Sequence, residues 1–127
     1  MSDVLKISNV DFLKIKKSYS IEDIKEKLDI IKKGILENVP AKKIYLFGSY
    51  AYGKPQKNSD IDIYALIPDN FDKSVIKTIG KIANYVYPFG ILNMDLFLVE
   101  EYRFNYYITY SSFEKTICNK GILLYGN

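Results

Sequence analysis

Apolar side chains recur at helical spacing in SIEDIKEKLDIIKKGILENVP, where Ile21, Ile24, Leu28, Ile31 and Ile35 fall on one side of a helix. Ser20 stands at its start as a cap. Glu22 and Asp23 occupy the first turn, Lys32 and Lys33 lie toward the end, and Pro40 stops continuation. Beyond Pro40 the pattern changes. KKIYLF is a short apolar run that breaks into GSYAYGKPQKNSD, whose Gly, Pro, Asn and Ser mark turns around a brief helix. IDIYALIP reads as a second strand, rich in β-branched and aromatic residues and closed by Pro68. A helix is predicted from Phe71 to Tyr87. The turn YPFG then leads to ILNMDLFLV, a third strand whose nearly unbroken apolar character predicts cover on both faces. Glu100 opens a mostly helical tail, in which Ser111 or Ser112 caps SSFEKTICNKG and Gly121 ends it, before ILLY as a last short strand. Residues before Ser20 read as an extension with a candidate short helix over Val10 to Lys17. Strands alternating with helices make the fold α/β, or α+β with a mixed sheet.

At 127 residues the chain fits one domain over 1–127, and its 48% hydrophobic content can fill a core without disulfide or metal staples. Charge alters the picture little. A net charge of +3 is well short of the basic surface of a dedicated nucleic-acid binder. The absence of histidine says more, because it removes Ser-His and Cys-His nucleophile systems and nearly every zinc site with His ligands. Catalysis must then rest on carboxylates, Lys, Tyr or a metal held by oxygen. Cys118 stands alone, so no internal disulfide and no CxxC pair exists, which fits a reducing compartment. MSDVLKISNVDFLKIKK has no apolar run of signal-peptide length, and no stretch approaches a membrane span. A cytoplasmic protein without a membrane partner is expected.

Candidate chemistry begins at SDIDI. Strand side chains alternate faces, so Asp60 and Asp62 should project from one side, about 7 Å apart at their Cα atoms. Paired carboxylates repel unless solvated, protonated or neutralised, and their display at a strand start suggests magnesium or manganese. A bare Asp-x-Asp is more often a solvated strand end. Its context adds weight: Gly48 and Ser49 follow the first strand directly, where backbone N–H groups and the Ser49 hydroxyl can receive phosphate oxygens. From Lys42 to Lys57 the chain carries Lys42, Lys43, Lys54 and Lys57 and no acid, a cationic stretch beside an anionic one. Those lysines also fit a solvated loop. A third acid, Asp95, sits between Met94 and Leu96, where an unpartnered carboxylate would be costly to bury. A metal shared with Asp60 and Asp62 is one answer and a hydrogen-bonded structural Asp the other. Three carboxylates can hold two cations about 3.5–4 Å apart.

GSYAYGKPQKNSDIDIYALI, with MDLFLV downstream, resembles the polymerase-β-like nucleotidyltransferase superfamily, and the small size resembles its minimal nucleotidyltransferase (MNT) branch. The closing SSFEKTICNKGILLYG is also similar to that branch's usual ending. The resemblance implies a nucleotidyltransferase fold in which Gly48 and Ser49 hold the nucleotide phosphates. It implies that Asp60 and Asp62 bind both metals, and that Asp95 completes one site and helps activate the acceptor hydroxyl. Many members place Arg where this chain has Tyr52, which implies either that Lys54 or Lys57 supplies charge near the triphosphate or that turnover is poor.

Few residues follow the third strand, too few for an acceptor-binding second core. The MNT resemblance implies a helical HEPN protein as partner, commonly a toxin ribonuclease, with AMP passing from ATP to one of its tyrosines and this chain acting as antitoxin. Transfer to a small molecule, with a neighbouring subunit of a homo-oligomer completing the pocket, is the enzymatic alternative. A non-catalytic antitoxin or nucleotide sensor that works by binding is the other. The 12 Tyr and 7 Phe invite base stacking, but Tyr suits core and partner contacts better. Cys118 reads as a small buried apolar group.

Overall fold

The computed structural model describes residues 19–127; the candidate helix over Val10 to Lys17 lies outside them. Ser20 caps the first helix as its sequence predicts: its hydroxyl accepts the N–H of Glu22 at 3.3 Å, and the Asp23 carboxylate accepts the Ser20 N–H at 2.8 Å. A 3-10 turn over Ile21–Ile24 leads into α1 (Lys25–Asn38), which runs further than its lysines suggest, so Lys32 and Lys33 stand mid-helix. The remaining elements are β1 (Lys43–Phe47), α2 (Ser49–Tyr52), β2 (Ile61–Ile67), α3 (Val75–Val86), β3 (Met94–Glu100), α4 (Glu101–Tyr110), α5 (Ser112–Lys120) and β4 (Ile122–Tyr125).

The sheet has the order β3-β2-β1-β4. Here β1 is antiparallel to both β2 and β4, while β2 and β3 are parallel and joined through α3. The mixed sheet expected from the sequence is therefore present. α3 starts four residues later than its apolar pattern suggests, because the Ser74 hydroxyl accepts the Lys77 N–H at 3.2 Å and sets the start there. β3 differs from expectation more. It is an edge strand, and only Leu98 along it is buried, so its apolar run is closed on one face at Leu98 and only partly covered on the other, where Val99 packs against aromatic residues.

Strand alternation sorts the core into two layers. On one face Ile44, Leu46, Ile61, Ile63, Ala65 and Ile67 pack against Leu28, Ile31 and Ile35 of α1 and Ile82 and Val86 of α3. The two helices cross closely at Gly34, where an added Cβ would stand 2.7 Å from the Tyr85 ring. On the other face Tyr45, Phe47, Tyr64 and Leu66 meet Phe104 of α4 and Ile117 of α5. Tyr64 is buried there and its hydroxyl donates to the Glu114 carboxylate at 3.0 Å. Burial and that neighbour push the Tyr64 phenol far above its ordinary value, so it stays a donor. Ser111 caps α5 and Gly121 ends it. No helix among the described residues is long and apolar enough to cross a membrane.

Candidate active site

Asp62 is the second residue of β2 and alternates with Ile61 and Ile63 of the aliphatic layer, so its carboxylate lies on the aromatic face. Its partner in the parallel pairing is Asp95, the second residue of β3. Residues in register on adjacent strands are about 5 Å apart, which sets these two acids side by side. Asp60 lies one residue ahead of β2, so the preceding turn directs it rather than strand alternation. Partial burial first, then the charges of Asp95 and Asp60 in that order, together raise the Asp62 carboxyl from 3.8 to about 6. Asp62 therefore senses the charge of each of the other two acids.

The protein alone does not close a cage around a cation: among the described residues no three acidic, Cys or His groups are gathered to hold a metal ion. Magnesium is ordinarily bound by one or two carboxylates together with substrate phosphates, not by all-protein cages. Hard oxygen donors on adjacent strands, beside a corner open to phosphate, fit magnesium or manganese on those terms.

That corner follows from the register. Phe47 pairs with Asp62, so the next residue, Gly48, turns beside the Asp62 carboxylate. Gly48 has φ 73° and ψ −153°, and a Cβ there would collide with Asp62 Oδ2. Glycine is required on both counts. Ser49 then opens α2, and the Gly48 carbonyl accepts the N–H groups of Ala51 and Tyr52, each at 3.0 Å. Tyr50 anchors the turn in the aliphatic layer and Tyr52 is exposed. Lys54 and Lys57 extend from the following loop, exposed and without an ion pair among the described residues. The other two lysines of the cationic stretch are not part of this corner. Lys42 and Lys43 lie at the opposite end of β1, about 15 Å away by strand rise, and Lys42 pairs with Glu101 at 3.1 Å.

Sequence reasoning passed over the aromatic floor beside the acids. Phe97 shares the face of Asp95 two positions on, and its ring lies 5.7 Å from both Phe47 and Phe113. Phe97 and Phe113 remain 41% and 38% exposed. The signal for Phe97 was its parity with Asp95 in MDLFLV. Ser59 and Asn93, which tie the Asp60 segment to the start of β3, were also missed. Cys118 packs against the aromatic layer and burial raises its thiol above the ordinary value, as a small apolar group would behave. A hollow of about 390 Å³ on α4 is lined by Tyr102, Arg103, Tyr106 and Tyr107 and by none of the three acids.

Known proteins match this arrangement. A solved toxin-antitoxin structure with AMP-PNP superposes with a TM-score of 0.53 at 28% identity, covering 79% of this chain and 73% of that one. A mutant MntA-HpeT toxin-antitoxin, with two Asp-to-Glu changes spaced two positions apart, gives 0.50 at 27% identity over the same shares. "Putative protein adenylyltransferase MJ1215" of Methanocaldococcus jannaschii is 48% identical over 44 residues, 35% of this chain and 51% of that protein. The chain thus spans about half the length of that curated relative. The nucleotidyltransferase domain model matches residues 28–122, from α1 through the start of β4 and across every residue of the corner, and the chain belongs to that family.

Proposed function

We propose that the chain transfers AMP from ATP, with magnesium or manganese, to a tyrosine hydroxyl of a helical HEPN-type partner, and so acts as an antitoxin. The observation that carries this is the in-register pair Asp62 and Asp95, with Gly48 pressed against the first. The nucleotide analogue in one toxin-antitoxin neighbour and the adenylyltransferase name of the curated relative support the substrate and reaction class.

Asp60, Asp62 and Asp95 would hold the metal ions, with the triphosphate supplying the remaining oxygens. Bound there, the metal would neutralise phosphate charge and lower the proton affinity of the acceptor hydroxyl. Gly48 lets the backbone approach the phosphates, Ser49 donates a hydrogen bond to them, and Lys54 and Lys57 supply positive charge. The acceptor oxygen bonds to the α-phosphorus as the bond to the bridging oxygen of the β-phosphate breaks. Pyrophosphate leaves with that electron pair, and a carboxylate oxygen of Asp95 takes the hydroxyl proton. Asp95 is exposed on an edge strand, so an acceptor carried by another protein can approach it from outside the sheet.

A binding-only antitoxin is the second reading, favoured by the open acidic site and by the exposed Tyr52 in the place of a frequent Arg. Incubating the chain, a HEPN partner, ATP and Mg2+ and weighing the partner separates the two. A partner that gains AMP with wild-type chain and not with D62A supports transfer. Tight binding with no adduct, unchanged by D62A, supports the binder.

A further inference from the structure

The loop between α2 and β2 carries Lys54, Lys57 and Asp60, and a single side chain of another element holds its end. Asn93 immediately precedes β3. Its side-chain Nδ2 donates to the Ser59 carbonyl at 2.7 Å, and its own carbonyl accepts the Ile61 N–H at 2.9 Å. These two bonds straddle Asp60. Ser59 in turn closes the loop on itself, since its N–H donates to the Gln56 carbonyl at 3.0 Å and its hydroxyl accepts the Gln56 N–H at 2.6 Å. Asn93 also stands two positions before Asp95, on the same strand run. One residue therefore grips the segment bearing the first acid and leads into the strand bearing the third.

We propose that Asn93 is a positioning residue: its amide fixes the Asp60 backbone against β3, and so sets the spacing of the Asp60 carboxylate from Asp62 and Asp95. The Ile61–Asn93 bond belongs to the backbone and survives any substitution, so the side-chain bond to Ser59 is the part that side-chain chemistry controls. Without it the residue ahead of β2 is held on one side only, and Asp60, exposed and outside the strand, is free to swing. Groups that orient metal-binding carboxylates typically contribute 10- to 100-fold to metal affinity. This inference rests on the reading of the three acids as metal ligands.

Mn2+ affinity in the presence of AMP-PNP tests it, read from the free-ion signal in electron paramagnetic resonance. N93A is expected to weaken Mn2+ binding roughly tenfold or more while its melting temperature falls by only a few degrees. N93Q, which keeps an amide donor on a longer arm, is expected to recover part of the affinity and provides a folded comparison should N93A melt early. In a D60A background, N93A should add no further loss. Wild-type affinity in folded N93A, or an equal loss in N93A with and without Asp60, overturns the assignment. If the wild-type chain itself takes up no Mn2+ with AMP-PNP, the metal-site reading falls and this inference falls with it. Wild-type uptake with indifferent variants strikes the Asn93 assignment alone.

Discussion

The two faces of the sheet are built from different side chains and serve different ends. One is aliphatic, contributed by Ile44, Leu46, Ile61, Ile63 and Ile67, and is closed by α1 and α3. The other is aromatic and polar: Tyr64 buries a hydrogen bond to Glu114, Phe97 and Phe113 stay partly open, and the same strand alternation that exposes Phe97 presents Asp62 and Asp95. Because side chains alternate strictly, β2 can commit every odd-numbered residue from Ile61 to stability and leave Asp62 free to carry charge. On the proposed function, stability and chemistry are separated by one residue along the same strand.

Substitutions of the two paired acids and of the buried residues should therefore fail in different assays. D62A or D95A is expected to lower AMP transfer about a hundred- to a thousandfold, the scale lost with one electrostatic group of a catalytic site, with an unchanged melting temperature or a higher one. I35A belongs to the closed face. It removes a fully buried side chain and should cost about 2–5 kcal/mol in denaturant unfolding; transfer by the remaining folded protein should stay within a few-fold. E114A leaves the buried Tyr64 hydroxyl without its partner and should cost about 1–3 kcal/mol, read by the same unfolding curves, again with little effect on transfer.

The smallest expected effect is a pH dependence. The Asp62 carboxyl is raised from 3.8 to about 6 by burial and by its acidic neighbours. The folded chain therefore holds this proton more tightly than the unfolded one, so the contribution to stability is full below pH 3.8 and is lost as pH rises through about 6. D62N removes that loss in the metal-free protein. It should unfold about 1 kcal/mol harder than wild type at pH 7.5, with the difference gone near pH 3.5; partial solvation keeps the figure below the roughly 3 kcal/mol that two pK steps represent. Parallel urea curves at the two pH values would show it, and a difference of equal size at both would contradict the assignment.

The aliphatic face was legible in the sequence because periodicity records it directly. Ile24, Leu28, Ile31 and Ile35 at helical spacing and the apolar runs at 44–47 and 61–67 all lie where their patterns place them. Ser20 and Ser111 announced their helix starts by chemistry that is local to the chain. What failed to show was non-local. An apolar run does not say whether its strand lies at an edge, so β3 reads as covered on both faces and is fully covered on neither beyond Leu98. Charge clustering in sequence placed Lys42 with Lys54 and Lys57, yet a strand length separates them and Glu101, far along the chain, takes Lys42. Asp60, Asp62 and Asp95 stand out as acids among apolar neighbours. The bond from Asn93 to Ser59 joins two loops brought together only by the β2–β3 pairing, and no spacing rule reports it.

On the proposed function, Asp62 and Asp95, side by side at the open end of the aromatic face, hold a nucleotide through a divalent ion. Calorimetric titration of AMP-PNP into wild type and D95N, with and without Mg2+, tests it most directly. The account predicts binding by wild type that requires Mg2+ and weakens at least about tenfold in D95N. Equal binding by both proteins, indifferent to Mg2+, would contradict it.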